Sequence, residues 1–277
     1  MQRRWNLDPK PTVGISQYAT FNNNPILFSD PLGDTTHLVM YGPGYENTST
    51  NHGNVGDAFK KNAEALKKKI EARSDFDKTK DAVVLVYVPS AKRFLDAVNK
   101  KYASGKIASL TVFSHGFASS SSNPDQIGGL SLGGERAGDI RPDGTKATKQ
   151  EADFQLRTYN SREINGTNMG NVDNKNFDPR AICTFYACNL GGVTSGEMGA
   201  TYQWTMPMIK TYSFAQNFAN KNNLTVHAFS GSAVFKQKNG QNYYDGSMIM
   251  YIDRKTNNTR LSTYTPYQTP IVNPPPK

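Results

Sequence analysis

A histidine and a cysteine stand at the ends of two apolar, β-prone runs in this chain. Residues 110–113 lead into Ser114-His115-Gly116, and residues 181–186 lead into Ala187-Cys188-Asn189. If the two runs are neighbouring parallel strands, an imidazole and a thiol come side by side at the carboxyl edge of a sheet, where open α/β folds place their chemistry. The chemistry open to such a pair is thiolate attack on a carbonyl, with the imidazole taking and returning the proton. The same imidazole is expected to leave Cys188 partly ionised at neutral pH, more so than a free cysteine with a pKa of about 8.5. Taken singly, each residue has a plainer reading: Cys188 as a small buried hydrophobe, His115 as a strand-end residue held by one hydrogen bond. Their order and their matching strand ends together favour a dyad.

The remaining candidates offer less. Cys183 lies on the same run as Cys188, five residues away, which at ~3.3 Å per residue is roughly 16 Å and the opposite strand face. No disulfide can join them, so a disulfide scaffold is excluded and a reducing compartment suits the chain. His37 and His227 fall in predicted strands and read as packing or edge residues. His52, in the loop Thr50-Asn51-His52-Gly53-Asn54, either overhangs the site or sits on a plain surface loop. Four scattered histidines and two cysteines on one strand give no metal-ligand spacing, and no cofactor is expected. Phe229-Ser230-Gly231-Ser232-Ala233 lacks the Gly-x-Ser-x-Gly pattern of a serine hydrolase, and there is no Gly-Lys-Ser/Thr phosphate loop.

The elements that must position the pair alternate. A short strand is predicted over 36–41, then a helix over 57–73 with Phe59, Ala63, Leu66 and Ile70 along one face. The apolar run 82–88 reads as a buried parallel strand, and 91–102 as a second helix with Phe94, Val98 and Tyr102 a turn apart. The His115 strand, an irregular insertion over 117–180 and the Cys188 strand follow. A helix around Phe214 and Phe218, a strand over 225–229 and a final strand over 247–252 complete the series. Such alternation predicts an α/β fold: a mainly parallel sheet of about six strands with helices on both faces. Within the insertion a β-hairpin is expected near Leu130 and some helix near 151–157, the rest being a mobile loop beside the site. The Pro-rich tail 264–277 is expected to be extended.

The His-Gly and Ala-Cys motifs, in this order on successive strands, resemble the signature of the caspase-like cysteine peptidases, a group that includes caspases, clostripain, gingipains and separase. The order strand, helix, strand, helix, strand-His-Gly, strand-Cys is similar too, so the resemblance spans residues 35–253. It implies a caspase-like fold with Cys188 as nucleophile, His115 as base and acid, and the backbone N–H groups of Gly116 and Cys188 as the oxyanion hole. It also implies that Gly116 keeps the approach of a substrate carbonyl clear. The primary pocket is implied to lie in loops at the strand ends, including parts of 125–139 and of the segment 230–233, with Ser230, Gly231 and Ser232 as candidates.

A second resemblance precedes this domain. Residues 18–33, Tyr18-Ala19-Thr20-Phe21-Asn22-Asn23-Asn24-Pro25-Ile26-Leu27-Phe28-Ser29-Asp30-Pro31-Leu32-Gly33, are dense in turn formers and lack a sustained period. They resemble the end of the Rhs/YD-repeat core, in which a β-shell encloses a variable C-terminal toxin and Asp-Pro-x-Gly marks the junction. The implied organisation is a junction over 1–34, a toxin domain over 35–263 carrying the 117–180 insertion, and the tail. Family members that cleave themselves carry Leu after the Gly; here Asp34 follows, so self-release is not expected.

The net charge is +9, concentrated in the lysines between Lys60 and Lys106. Such a face attracts nucleic acid, anionic lipid or an acidic protein; the plainer reading is the solvated side of two amphipathic helices. No apolar run approaches a membrane span, and Met1-Gln2-Arg3-Arg4-Trp5 does not open a signal peptide, so a soluble protein without membrane contact is expected. Three functions stay open. The first is the toxin of an Rhs-type effector, delivered by secretion machinery and acting as a cysteine endopeptidase on proteins in the cytoplasm of a target cell, with a cognate acidic immunity protein as partner. The second is a basic nucleic-acid-targeting toxin, a nuclease. The third is an inactive caspase-like binding module.

Overall fold

Strands whose residues are apolar on both sides need cover on both faces, and this requirement organises the chain. A computed structural model describes residues 34–43, 58–117, 119–120, 128–132, 163–164, 169–194, 213–239, 241–251 and 261–266. The chain divides into two units, 1–34 and 35–277, and every element below belongs to the second. In order these are β1 (Thr35–Tyr41), α1 (Ala58–Glu71), β2 (Ala82–Tyr87), α2 (Ala91–Val98), β3 (Lys106–Phe113), β4 (His115–Phe117), β5 (Ser119–Ser120), β6 (Gly129–Ser131) and β7 (Glu163–Ile164). Then come β8 (Phe177–Tyr186), β9 (Val193–Thr194), α3 (Phe214–Asn222), β10 (Thr225–Ala228), β11 (Ser232–Lys238), β12 (Gln241–Tyr251) and β13 (Ser262–Tyr264).

Six strands form one sheet in the order β13-β10-β8-β3-β1-β2. All neighbours are parallel except β13, which runs antiparallel to β10. The fold is therefore α/β with a mainly parallel, mixed six-stranded sheet. Successive residues alternate between two cores. Leu38, Met40, Leu110, Val112, Cys183 and Phe185 join Phe94 of α2 and Phe214 and Phe218 of α3 on one face. Val39, Tyr41 and Phe113 join Phe59, Ala63 and Ile70 of α1, with Phe229 and Met248, on the other. Right-handed crossovers explain the split: β1 to β2 and β2 to β3 step in opposite directions across the sheet, which puts α1 and α2 on opposite faces. Ser90 and Ser213 start α2 and α3 by accepting the N–H of Arg93 and Gln216, as N-caps do.

Several sequence expectations change. The 82–87 run is an edge strand with five of its six residues half-buried; an apolar run alone does not distinguish edge from centre. The second helix stops at Val98 rather than Tyr102. Asn99 caps it, and the Asn99 side chain both donates to the Asn171 carbonyl and accepts the Asp173 N–H, which ties this helix end to the segment before β8. Tyr102 folds back outside the helix and its hydroxyl donates to the Ala97 carbonyl. The strand expected at 247–252 does not enter the sheet. It belongs to β12, which pairs antiparallel with β11 after a turn in which Asn239 has φ 53°, and the hairpin covers α1. The sixth sheet strand is β13 instead. Tyr264, placed in the tail by the sequence reading, is 6 % exposed and donates to the Gly191 carbonyl.

The hairpin expected near Leu130 is present and is built on the histidine strand itself. β6 pairs antiparallel with β4, His115 opposite Ser131, and β7 adds a third strand. The 1–33 junction, the helix expected at 151–157, the His52 loop and residues 267–277 lie outside the described residues. No helix among the described residues is long and apolar enough to cross a membrane.

Candidate active site

Strand register brings the two motifs together. Phe113 and Tyr186 are partners across β3 and β8, and their rings stack 4.8 Å apart at 5°. Pairing continues one step further, with the Ser114 N–H donating to the Tyr186 carbonyl. Two residues on from each stacked ring, side chains return to the same face, and these residues are His115 and Cys188. The His115 ring meets Phe59 of α1 edge-on, centroids 5.0 Å apart, and Cys188 borders the same core. Beyond them the chains rejoin, since β5 and β9 pair in parallel with Ser119 opposite Val193. The site is thus a short opening between two stretches of paired backbone.

Gly116 fits this opening because of what it lacks. A Cβ there would lie 2.5 Å from the Cys188 carbonyl oxygen, 3.0 Å from Ala187 Cβ and 3.1 Å from Leu190 Cδ2. The glycine is required for the His-Gly and Ala-Cys backbones to touch, a packing reason distinct from an open path for a substrate carbonyl. Its backbone sits in the β4–β6 ladder opposite Leu130.

Cys188 is held by the segment that follows β10. Its Sγ accepts the Ala233 N–H at 3.3 Å and donates to the Ala233 carbonyl at 3.6 Å. Asn189, with φ 62°, turns the chain back immediately after the cysteine; asparagine is among the few non-glycine residues that adopt this left-handed geometry readily. The Asn189 N–H then donates to the Gly231 carbonyl and the Gly191 N–H to the Phe229 carbonyl, both at 2.8 Å. Ser230, Gly231 and Ser232, the expected pocket residues, therefore lie on a strap along the cysteine turn, Ser230 and Gly231 half-buried and Ser232 exposed. Of 125–139 only 128–132 are described; Leu130 and Leu132 are buried core residues.

The electrostatics correct one expectation. Burial pushes the Cys188 thiol up from its ordinary value, and the Ala233 N–H only partly offsets this. The shift runs against the partial ionisation at neutral pH expected from a neighbouring imidazole. Tyr186 beside Cys188 is also pushed up, by burial and then by the charge of Asp245. Cys183 is fully buried on the opposite face and burial raises its thiol much further, as a core residue requires. His37 is a packing residue, with Nδ1 2.7 Å from Ser109 Oγ, and His227 is half-buried in β10.

Three residues at the site have parts that the sequence reading did not assign, although Asn189 stands in the Ala187-Cys188-Asn189 motif and Ala233 ends the expected 230–233 pocket segment. Asn189 was legible in principle, since Asn-Leu-Gly-Gly after a strand is turn chemistry. Its Oδ1 is buried beside Cys188 and has no hydrogen-bond partner among the described residues. Phe59 was assigned to the core of α1 with nothing to mark its contact with His115. Ala233 acts through its backbone alone, which leaves no trace in residue type. Compared with known protein families, curated proteins and solved structures, the chain matches none.

Proposed function

We propose that this chain is the toxin end of an Rhs-type effector and acts in the target-cell cytoplasm as a cysteine endopeptidase of caspase-like architecture. Cys188 is the nucleophile and His115 the general base and acid. The observation that carries the reading is the contact of Gly116 with the Cys188 backbone, in register with the Phe113–Tyr186 stack. In support, His115 meets Phe59 and Cys188 borders the same core, beyond the carboxyl ends of adjacent parallel strands, where residues distant in sequence converge for chemistry. Attack by sulfur on a peptide carbonyl would transfer the thiol proton to His115. His115 would return it to the leaving amine, and water would then release the acyl group from sulfur. The N–H groups of Gly116 and Cys188 are the proposed oxyanion donors, and the 230–232 strap borders the pocket.

The domain is proposed to begin after the Asp30-Pro31-Leu32-Gly33 junction, inside a parent shell, and to be silenced in the producing cell by an acidic immunity protein. One observation favours a second reading, an inactive caspase-like binding module: the Cys188 sulfur is clasped by Ala233 and burial raises its thiol. Trapping by a peptidyl electrophile separates the two. The peptidase reading predicts covalent labelling at Cys188 that His115→Ala abolishes; a binding module would label weakly and independently of His115.

A further inference from the structure

The Cys188 clasp is the last contact of a larger assembly. Ala233 belongs to β11, opposite Met250 of β12. Its N–H points to the sulfur rather than across the ladder. The hairpin made by β11 and β12 is in turn fastened to α1. Gly246, at φ +81°, lies so close to the helix that a Cβ would stand 2.7 Å from Leu66 Cα. The Gly246 N–H donates to the buried Asn62 side chain at 3.2 Å. Phe235 packs on Phe59 with centroids 5.8 Å apart, and Lys61 lies over the Tyr244 ring. Phe59 also carries the His115 ring. The same layer therefore covers both members of the proposed dyad.

We infer that the β11–β12 hairpin is a latch that keeps Cys188 unreactive until it lifts from α1. The consequence for activity rests on the peptidase reading above; the latch itself does not, because thiol chemistry reads it directly. In the closed state Ala233 occupies both the donor and the acceptor capacity of the sulfur. The S–H proton is then committed to the Ala233 carbonyl rather than to His115, while Cys188 itself is only half-buried. Lifting the hairpin breaks both contacts of the sulfur with Ala233 and exposes the thiol. Cys183, on the other face and inside β8, is unaffected by this movement and reports only global unfolding.

The test is thiol labelling of the full chain with iodoacetamide, followed site by site in mass spectrometry across low urea concentrations. A latch predicts that Cys188 labels more slowly than an unstructured cysteine but well before Cys183, with a shallow urea dependence, because opening exposes one hairpin rather than the whole core. Gly246→Ala should accelerate Cys188 labelling about tenfold, the factor carried by losing contacts worth one ordinary hydrogen bond, and leave Cys183 protected. Cys188 labelling at the free-thiol rate without urea would overturn the latch. So would labelling of both cysteines only in the global transition, a result read on the wild-type chain even if Gly246→Ala does not fold. Toxicity dependent on Cys188 without latch behaviour would remove the latch and leave the peptidase; latch behaviour with a fully toxic Cys188→Ala would do the reverse.

Discussion

Replacing Gly116 with alanine tests whether the contact between the two motifs is what builds the site. The added Cβ would sit 2.5 Å from the Cys188 carbonyl oxygen, whereas ordinary contact begins at 3.4 Å. The two backbones must therefore part by the difference, 3.4 − 2.5, about 0.9 Å, and Ala187 and Leu190 close the sideways routes of escape. Overpacking of this kind costs about 1–3 kcal/mol, which for a domain of this size lowers Tm by roughly 2–12 °C. The same displacement moves His115 relative to Cys188, and a shift near 1 Å at reacting groups costs about 100-fold in rate. Gly42→Ala is the matched control: its Cβ would meet Ser114 Cβ at 3.3 Å at the same sheet edge, and it should cost under about 1 kcal/mol. Urea midpoints at constant slope measure stability, and peptidase turnover or toxicity measures the site. Gly116→Ala as stable and active as Gly42→Ala would show that the contact of Gly116 with the Cys188 backbone does not build the site.

Three further outcomes are expected. Gly191→Ala would place a Cβ 1.9 Å from the Tyr264 hydroxyl and should lower the urea midpoint strongly. Adding Tyr264→Phe should recover part of that loss, and simple additivity would contradict the packing described. Because burial raises the Cys188 thiol, its alkylation should rise with pH along a curve displaced to the alkaline side of a free cysteine; a midpoint below neutrality would contradict it. Burial holds the His37 pKa below 6.5, with Arg73 adding to the shift. The unfolded chain therefore takes up the proton first, and this contribution to stability is intact above pH 6.5 and falls away as pH drops through that value. His37→Gln should reduce the loss of urea stability between pH 7.5 and 5.5, and an unchanged loss would rule out this source.

The two strand ends of the candidate site were legible because periodicity and punctuation agree there: β-prone apolar runs stop just before His-Gly and Ala-Cys. Opposite faces for Cys183 and Cys188 followed from the two-residue period alone. The hairpin was missed although Asn239-Gly240 between two half-apolar runs carries the strongest short-range hairpin signal; the polar Lys236-Gln237-Lys238 end of β11 obscured the strand. Tyr264 could not be read as core, since its burial depends on the space left by Gly191, 73 residues away in sequence. The upward shift of the Cys188 thiol was hidden for a similar reason: burial raises it and the Ala233 N–H works against that, and neither effect can be read from residue type.

Identifying new protein N-termini across the proteome of target cells that receive the wild-type chain, Cys188→Ala, His115→Ala or Cys183→Ala decides whether Cys188 and His115 form a working peptidase dyad. A defined set of cleavages is expected with the wild-type and Cys183→Ala chains, absent from the other two while all four remain folded. Identical cleavage patterns in the wild-type and Cys188→Ala samples, or toxicity without any new N-termini, would contradict such a dyad.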